Sequence, residues 1–325
     1  MASGALAAAV LLAGACSSDG ADTTGEPTPA AAAPLGAGLT SPTSLGGTLF
    51  YYPQAANGEV PMTGWAPEGV AGPTAMVKLF VGDALSSATI SPDGKRVAWV
   101  ASDYDDGTTK LFVANVDGSA KRMLLNEADP YCVEPTWSGD SGKLLTRPVA
   151  ESSARSLDVA TGAVTAFATP IEGCHALWAA DGKTIAFSLG PAITLVNADG
   201  SNRRTVPKLG ADGGPTQRRS HDPMSLSADG RLLSLLVLTG DTPDGDVARG
   251  LTANEIVDTM TGATMAIPVP GDLRQAYFLP SGGAVVRVKG ANGFEIGLLG
   301  PDMKLVKKVS EPANLADMVL LGYGA

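Results

Sequence analysis

The chain has 325 residues, of which 44% are hydrophobic, and its 33 Asp and Glu against 23 Lys and Arg leave a formal net charge of -10. That acidity argues against a nucleic-acid partner, because neutralising phosphates needs a basic face. After the first residues no apolar run approaches the ~18 residues that a membrane-spanning helix requires, and a β-rich closed fold of this length can be one domain.

The chain opens on a short apolar run, residues 5–15, that ends in small residues and reads as a secretory segment, not as part of the fold. Leu12-Ala13-Gly14-Ala15-Cys16 resembles a bacterial lipobox, although no Lys or Arg precedes the run. The resemblance implies a signal peptide over residues 1–15 and a lipid on Cys16, which anchors a protein to a bilayer without spanning it. An ordinary signal peptide cleaved nearby is the alternative. Residues 16–45, rich in Ala, Pro, Ser and Thr, lack the content to pack and read as a tether. The folded body is expected over residues 46–325. Its expected location is extracytoplasmic, in the periplasm or at the cell surface, held to a bacterial membrane by the N-terminal lipid alone.

The body begins with two strand candidates, 47–52 and 75–81, around a Gly- and Pro-rich excursion. Then comes Ser91-Pro92-Asp93-Gly94-Lys95-Arg96, a tight turn feeding the alternating strand Val97-Ala98-Trp99-Val100. Echoes follow at Trp137-Ser138-Gly139-Asp140-Ser141-Gly142-Lys143, Trp178-Ala179-Ala180-Asp181-Gly182-Lys183, Leu226-Ser227-Ala228-Asp229-Gly230-Arg231 and Leu279-Pro280-Ser281-Gly282-Gly283. Each turn leads into a hairpin and a further strand, as in 96–102 with 109–116 and then 120–125, and the Asp-Gly steps suit the positive φ of tight turns. Taken between Lys95, Lys143, Lys183, Arg231 and Ala284, the spacings are 48, 40, 48 and 53 residues. These lengths fit four-stranded blades. One strand's worth of chain, 316–322, remains after the fifth unit, and joined to the unpaired N-terminal strands it completes a sixth. The expected fold is therefore all-β, a six-bladed β-propeller of four-stranded antiparallel blades whose ring closes by pairing of the N- and C-terminal strands.

The Ser-Pro-Asp-Gly-Lys turn, with an aromatic or aliphatic residue before it and an alternating strand after it, resembles the repeat of TolB-type β-propellers over residues 46–325. The resemblance implies fold and not activity. It extends to the propellers of prolyl-oligopeptidase peptidases, but no Gly-x-Ser-x-Gly nucleophile elbow occurs here. Within the repeat, Trp137 and Trp178 are expected to fill wedges between blades, with ligand stacking as the other use.

Two cysteines remain beside Cys16. Cys132 lies five residues before Trp137 and Cys174 four before Trp178, so a disulfide stapling neighbouring blades is expected, against two separate buried thiols. A propeller ordinarily binds at one mouth of its channel, where residues of successive inner strands converge. Glu134 and His175 match in the repeat, Asp222 matches Cys174, His221 lies one residue earlier, and Arg274 precedes the fifth turn similarly. These five residues form the candidate binding rim. Their spacing matches no metal motif, and the sequence nominates no catalytic residue, metal or cofactor. The acidic stretches 103–107 and 241–246 read as hairpin tips in preference to calcium loops. Arg203, Arg204, Lys208, Arg218 and Arg219 gather positive charge around a loose Gly-rich loop, as a solvated surface or an anionic docking point. The expected function is a binding or scaffolding module for an envelope protein or a glycan, monomeric and touching the membrane only through its lipid. The alternative is an enzyme at the channel mouth, such as a polysaccharide lyase or hydrolase.

Overall fold

Each Asp-Gly turn of the repeat sits between the first and second strands of an antiparallel sheet. The computed structural model describes residues 35, 38–103, 107–129, 132, 134–210, 217–240 and 251–325. The proposed signal peptide, Cys16 and most of the tether lie outside them, as do 104–106, 211–216 and the whole of 241–250. Six sheets are present. Blade 1 combines Thr48–Pro53, Glu59–Trp65 and Thr74–Phe80 with the C-terminal strand Met318–Gly324, which pairs antiparallel with Thr48–Pro53 and takes the innermost place. Blades 2, 3, 4 and 6 have inner strands Thr89–Ile90, Thr136–Trp137, Cys174–Trp178 and Asp272–Phe278, each followed outward by three more strands. Blade 5 has three strands, from inner strand Arg218–Leu226 to Glu255–Asp258, and a lone bridge between Val257 and Thr264 marks the place of its fourth. The inner strands touch in sequence around a closed ring. The expected six-bladed propeller and its closure by the two chain ends are thus the observed fold. Elements not expected are the strand Glu59–Trp65 inside the Gly- and Pro-rich stretch, the seven-residue helix Val81–Ser87 between blades 1 and 2, and the short helical turn Ala313–Leu315.

The turn repeats because its hydrogen bonds are local. The Ser91 hydroxyl donates to Asp93 Oδ1 at 2.6 Å and accepts the Arg96 N–H at 2.9 Å, while the Gly94 N–H donates to the Ser91 carbonyl at 2.8 Å. Ser138, Asp140 and Lys143 reproduce the first two bonds at 2.6 and 2.9 Å. Lys143 therefore corresponds to Arg96 and not to Lys95, one residue from the register read from the sequence. The reason is that Ser141, at φ 59°, takes the left-handed position that Gly94 holds at φ 67°.

Between every pair of neighbouring blades lies an apolar layer, and strands covered on both faces are apolar at nearly every position. In Leu49-Phe50-Tyr51-Tyr52 all four side chains are fully buried: Leu49 and Tyr51 pack toward blade 6, and Phe50 and Tyr52 toward blade 2. Trp137 packs with Ala98, Val100 and Leu111 of blade 2, and Trp178 with Leu145 of blade 3, so both tryptophans fill wedges as expected. Hydrogen bonds stitch the junctions as well. Trp137 Nε1 donates to the Thr89 carbonyl at 3.2 Å, Thr136 Oγ1 to Ala176 at 3.2 Å, the Ala180 N–H to Leu226 at 3.1 Å, the Phe278 N–H to Ser225 Oγ at 2.9 Å and Tyr277 Oη to Leu320 at 2.8 Å. At the last junction the Ala325 N–H donates to Pro92 at 3.0 Å. Residues 40–45, assigned to the tether from composition, join this body: the Thr40 N–H donates to the Ser281 carbonyl at 2.9 Å, and Leu45 is fully buried beside Leu49 and Tyr323.

The closing seam holds a buried ion pair. Arg287 of blade 6 grips Glu311 through two bonds of 2.8 and 2.6 Å and donates to the carbonyl of Met318 on the closing strand at 2.8 Å. Tyr51 of blade 1 donates to Glu311 at 2.9 Å. Burial, and after it the charge of Glu311, push the Tyr51 hydroxyl far above the usual phenol range, so it remains a donor. A buried charge stripped of its partner costs about 3–5 kcal/mol, whereas replacing the pair by apolar groups is often near neutral. Arg287→Met should therefore lose about that much stability in urea denaturation, and Arg287→Met with Glu311→Leu should recover most of it.

The turn carboxylates make stability depend on pH. The Ser138 hydroxyl, then the Gly142 N–H, hold the Asp140 carboxyl below its ordinary value of 3.8. Burial pushes Asp93 up, but the Ser91 hydroxyl, the Lys95 N–H and the Arg96 charge outweigh it and bring the carboxyl down. A folded-state pKa below the unfolded one stabilises the fold above about pH 4, and the contribution disappears as pH falls through the folded value. Thermal unfolding followed by circular dichroism should show a falling midpoint below about pH 4, with a shallower slope in Asp140→Asn.

Candidate functional site

Along the axis runs a cavity of about 240 Å³ lined by residues of all six blades. Its lining includes the last inner-strand residues before the turns, Ile90, Trp137, Trp178, Leu226 and Phe278, which occupy one register in successive blades. At the turn end Pro42 and Ser44 of the N-terminal segment also border it. Glu134 and His175 line the same cavity from positions three residues before Trp137 and Trp178.

Glu134 and His175 meet. His175 Nδ1 lies 3.0 Å from Glu134 Oε1 and 3.3 Å from Oε2. Both side chains are largely buried, with Glu134 only 3% exposed. Two features of the backbone bring them together. His175 stands at a register irregularity between Cys174 and Leu177, where the strand pairing breaks step and re-aims a side chain. It is also the one non-glycine residue at positive φ inside a strand among the described residues, at φ 51°, a conformation that surrounding structure must enforce. The enforcement is visible: the His175 N–H donates to the Cys132 carbonyl at 2.5 Å, and Cys132 is joined to Cys174 by a disulfide with Cα atoms 4.4 Å apart. The disulfide therefore staples blades 3 and 4 beside the pair, as the cysteine spacing led us to expect.

His221 and Arg274 share the irregular inner-strand ends without joining the cavity. Counted back from Ser227 and Leu279, the register of Glu134 and His175 falls on Pro223 and Gln275. His221 and Arg274 lie farther out, each at a similar register break in its own strand. Neither is among the cavity-lining residues. Arg274 is half-exposed and lies 3.7 Å from Asp272. Asp222 is placed on the inner strand of blade 5, but its side chain lies outside the described set. Sequence reasoning missed Met224, Ser225, Tyr277, Pro42 and Ser44 as lining residues. Repeat counting marks Ser225 and Tyr277 as the register just before the last inner-strand residue, so this signal was available. The basic cluster is largely spent inside the fold: Arg204 donates to Thr259 Oγ1 at 2.7 Å, Arg218 to the Gly262 carbonyl at 2.9 Å and Arg203 covers the Phe187 ring at 5.2 Å.

Among the described residues no group of three His, Cys, Asp or Glu side chains is placed to hold a metal ion, and no helix is long and apolar enough to cross a membrane. The arrangement offers a mostly apolar channel with one buried, hydrogen-bonded carboxylate–imidazole pair.

No family model and no curated protein matches the chain. Solved structures similar to it include a TolB of Agrobacterium tumefaciens, at 15% identity and TM-score 0.45, covering 84% of this chain and 81% of that one. The TolB of Acinetobacter baumannii is similar at 17% identity and TM-score 0.36, covering 82% and 79%. The β-propeller domain of the Trilobed protease from Pyrococcus furiosus is similar at 15% identity and TM-score 0.44, covering 78% and 75%. Likenesses at this level assign no activity, and the blade topology of the chain itself carries the fold.

Cys132 and Cys174 close a loop across a sequence separation of 42 residues, for which the chain-entropy account gives about 4 kcal/mol. The double Cys→Ser variant should lose stability of that order in denaturant titration, while unreduced protein should show neither cysteine reacting with a thiol reagent under mass spectrometry.

Proposed function

We propose that this chain is a cell-envelope binding module, carried on a lipid at Cys16, that receives its ligand or a segment of a partner protein in the propeller channel beside Glu134 and His175. The carrying observation is the buried Glu134–His175 pair in a channel bordered mostly by apolar and aromatic side chains. Concave, mostly apolar sites with few placed polar groups are the usual form of a ligand site. The Cys132–Cys174 disulfide supports an oxidising compartment. The lipobox-like run before Cys16 and the Ala- and Pro-rich stretch after it support attachment by a lipid, with the folded body held off the bilayer.

Two measurements test the two halves of the reading. Labelled fatty acid should enter the full-length protein in cells and fail to enter Cys16→Ala; equal labelling of both forms overturns the anchor. A photo-crosslinking amino acid at Met224, which borders the channel, should trap a discrete adduct in the native envelope, whereas the same group at exposed Val164 on an outer strand should not. The reverse pattern would move binding to the blade sides.

A further inference from the structure

We infer that the Cys132–Cys174 bridge is a redox switch on the channel site: closed, it holds the Glu134–His175 pair together, and reduction by a dithiol lets the His175 backbone relax and parts the pair. The switch stands on the geometry around the bridge, and its effect on binding rests on the channel being the binding site.

The bridge acts on His175 through the backbone. Cys174 precedes His175 directly, and Cys132 reaches it a second way, because its carbonyl accepts the His175 N–H at 2.5 Å. Between these two holds His175 stands at φ 51°, in the left-handed region that a residue with a Cβ occupies only where its surroundings enforce it. Strand pairing carries the same constraint. Cys174 pairs with Ser188 and Leu177 with Ala186, so His175 and Ala176 together stand opposite Phe187, the pattern of a bulge that re-aims a side chain. A return of His175 to extended φ turns the side chain again, and the imidazole leaves Glu134.

The two ends of the bridge are held differently. On the blade 3 side the Cys132 N–H donates to Asp129 Oδ1 at 3.1 Å, the Asp129 N–H to the Arg147 carbonyl at 2.8 Å, and Arg147 Nε to Asp129 Oδ2 at 2.8 Å. This anchor needs no disulfide. On the blade 4 side the constraint falls on the strained residue, so opening the bridge releases His175 and leaves the anchor in place.

The ring has other holds at this junction. Leu145 and Ala154 of blade 3 pack with Trp178, Ile185 and Phe187 of blade 4, and Thr136 Oγ1 donates across to the Ala176 carbonyl. The response to reduction is therefore local. Both cysteines are half-buried and stand outside that apolar layer, and access of this kind is a condition for exchange.

The step is thiol–disulfide exchange. A thiolate of the dithiol attacks one bridge sulfur, the S–S bond breaks and a mixed disulfide forms, which the second thiol of the dithiol then displaces. Two electrons pass to the bridge, both cysteines end as thiols with the two protons of the dithiol, and the dithiol ends as a disulfide. Relief of the positive φ at His175 favours this direction.

The full chain, with isotope-labelled histidine, is reduced by excess dithiothreitol without denaturant. It has two histidines, so His175 reports the switch and His221, on the inner strand of blade 5, is the control. Magnetic cross-relaxation between the amide and α protons of one residue is strong at positive φ and weak in an extended strand. For His175 it should fall severalfold on reduction, and its imidazole contacts with the Glu134 side chain should vanish. The His221 signals and the circular dichroism of the fold should persist, and reoxidation should restore the pair. His175→Ala and His175→Gly both lack the imidazole and differ in the cost of positive φ. At equilibrium with dithiothreitol the bridge should be about tenfold harder to reduce in the glycine variant than in the alanine variant.

Unchanged His175 signals in reduced, folded protein make the bridge a staple alone and overturn the switch. Global unfolding on reduction overturns it too, as does a bridge that opens only in denaturant, and equal reducibility of the two variants removes the strain on which it depends. The channel reading fails separately, when a crosslinking group at Met224 traps no adduct in either redox form. A switch that controls binding traps the adduct before reduction and at least tenfold less after it; equal trapping in both forms overturns that control.

Discussion

The ring stands on its seam. In a propeller every blade buries both faces against neighbours, so one missing junction would expose two apolar surfaces and a sheet edge at once. Here the last junction is made by pairing Met318–Gly324 with Thr48–Pro53, and the Arg287–Glu311 ion pair with Tyr51 lies across it. The Arg287 guanidinium also covers the Phe294 ring at 3.8 Å. Charge, hydrogen bonding and ring contact are thus concentrated where the chain ends meet. Close backbone approach completes the seam: a Cβ on Gly324 would stand 2.1 Å from the Gly94 Cα, so only glycine fits where the closing strand meets the first turn.

The same economy of position separates fold from site. The turn repeated from blade to blade is closed by hydrogen bonds that span six residues. The Glu134–His175 pair depends instead on a strand irregularity, a positive φ and a disulfide, all gathered at the junction of blades 3 and 4. The structure departs from the regular repeat at this junction, and the departure is what turns two inner-strand side chains toward each other. A rigid ring then presents them to a channel that the N-terminal segment borders at its turn end.

The basic side chains read from the sequence are engaged within the fold: Arg204 reaches from blade 4 to Thr259 of blade 5, Arg218 bonds Gly262 within blade 5, and Arg203 covers the Phe187 ring within blade 4.

The sequence by itself determined the repeat, the blade count and the closure of the ring, because turn chemistry and strand alternation act over a few residues and recur. Repeat counting also placed Glu134 and His175 at equivalent positions of neighbouring blades, and the spacing of Cys132 and Cys174 before their tryptophans led to the expected bridge. Tertiary structure decided the rest. It set His221 and Arg274 apart from the cavity, because they stand two residues and one residue farther from their turns than the register that Glu134 and His175 share. It moved the repeat register at Lys143 by one residue through the positive φ of Ser141, packed residues 40–45 onto the ring, and formed the Val81–Ser87 helix. The Arg287–Glu311–Tyr51 clamp was equally invisible, because its members are up to 260 residues apart and only closure of the ring brings them into contact.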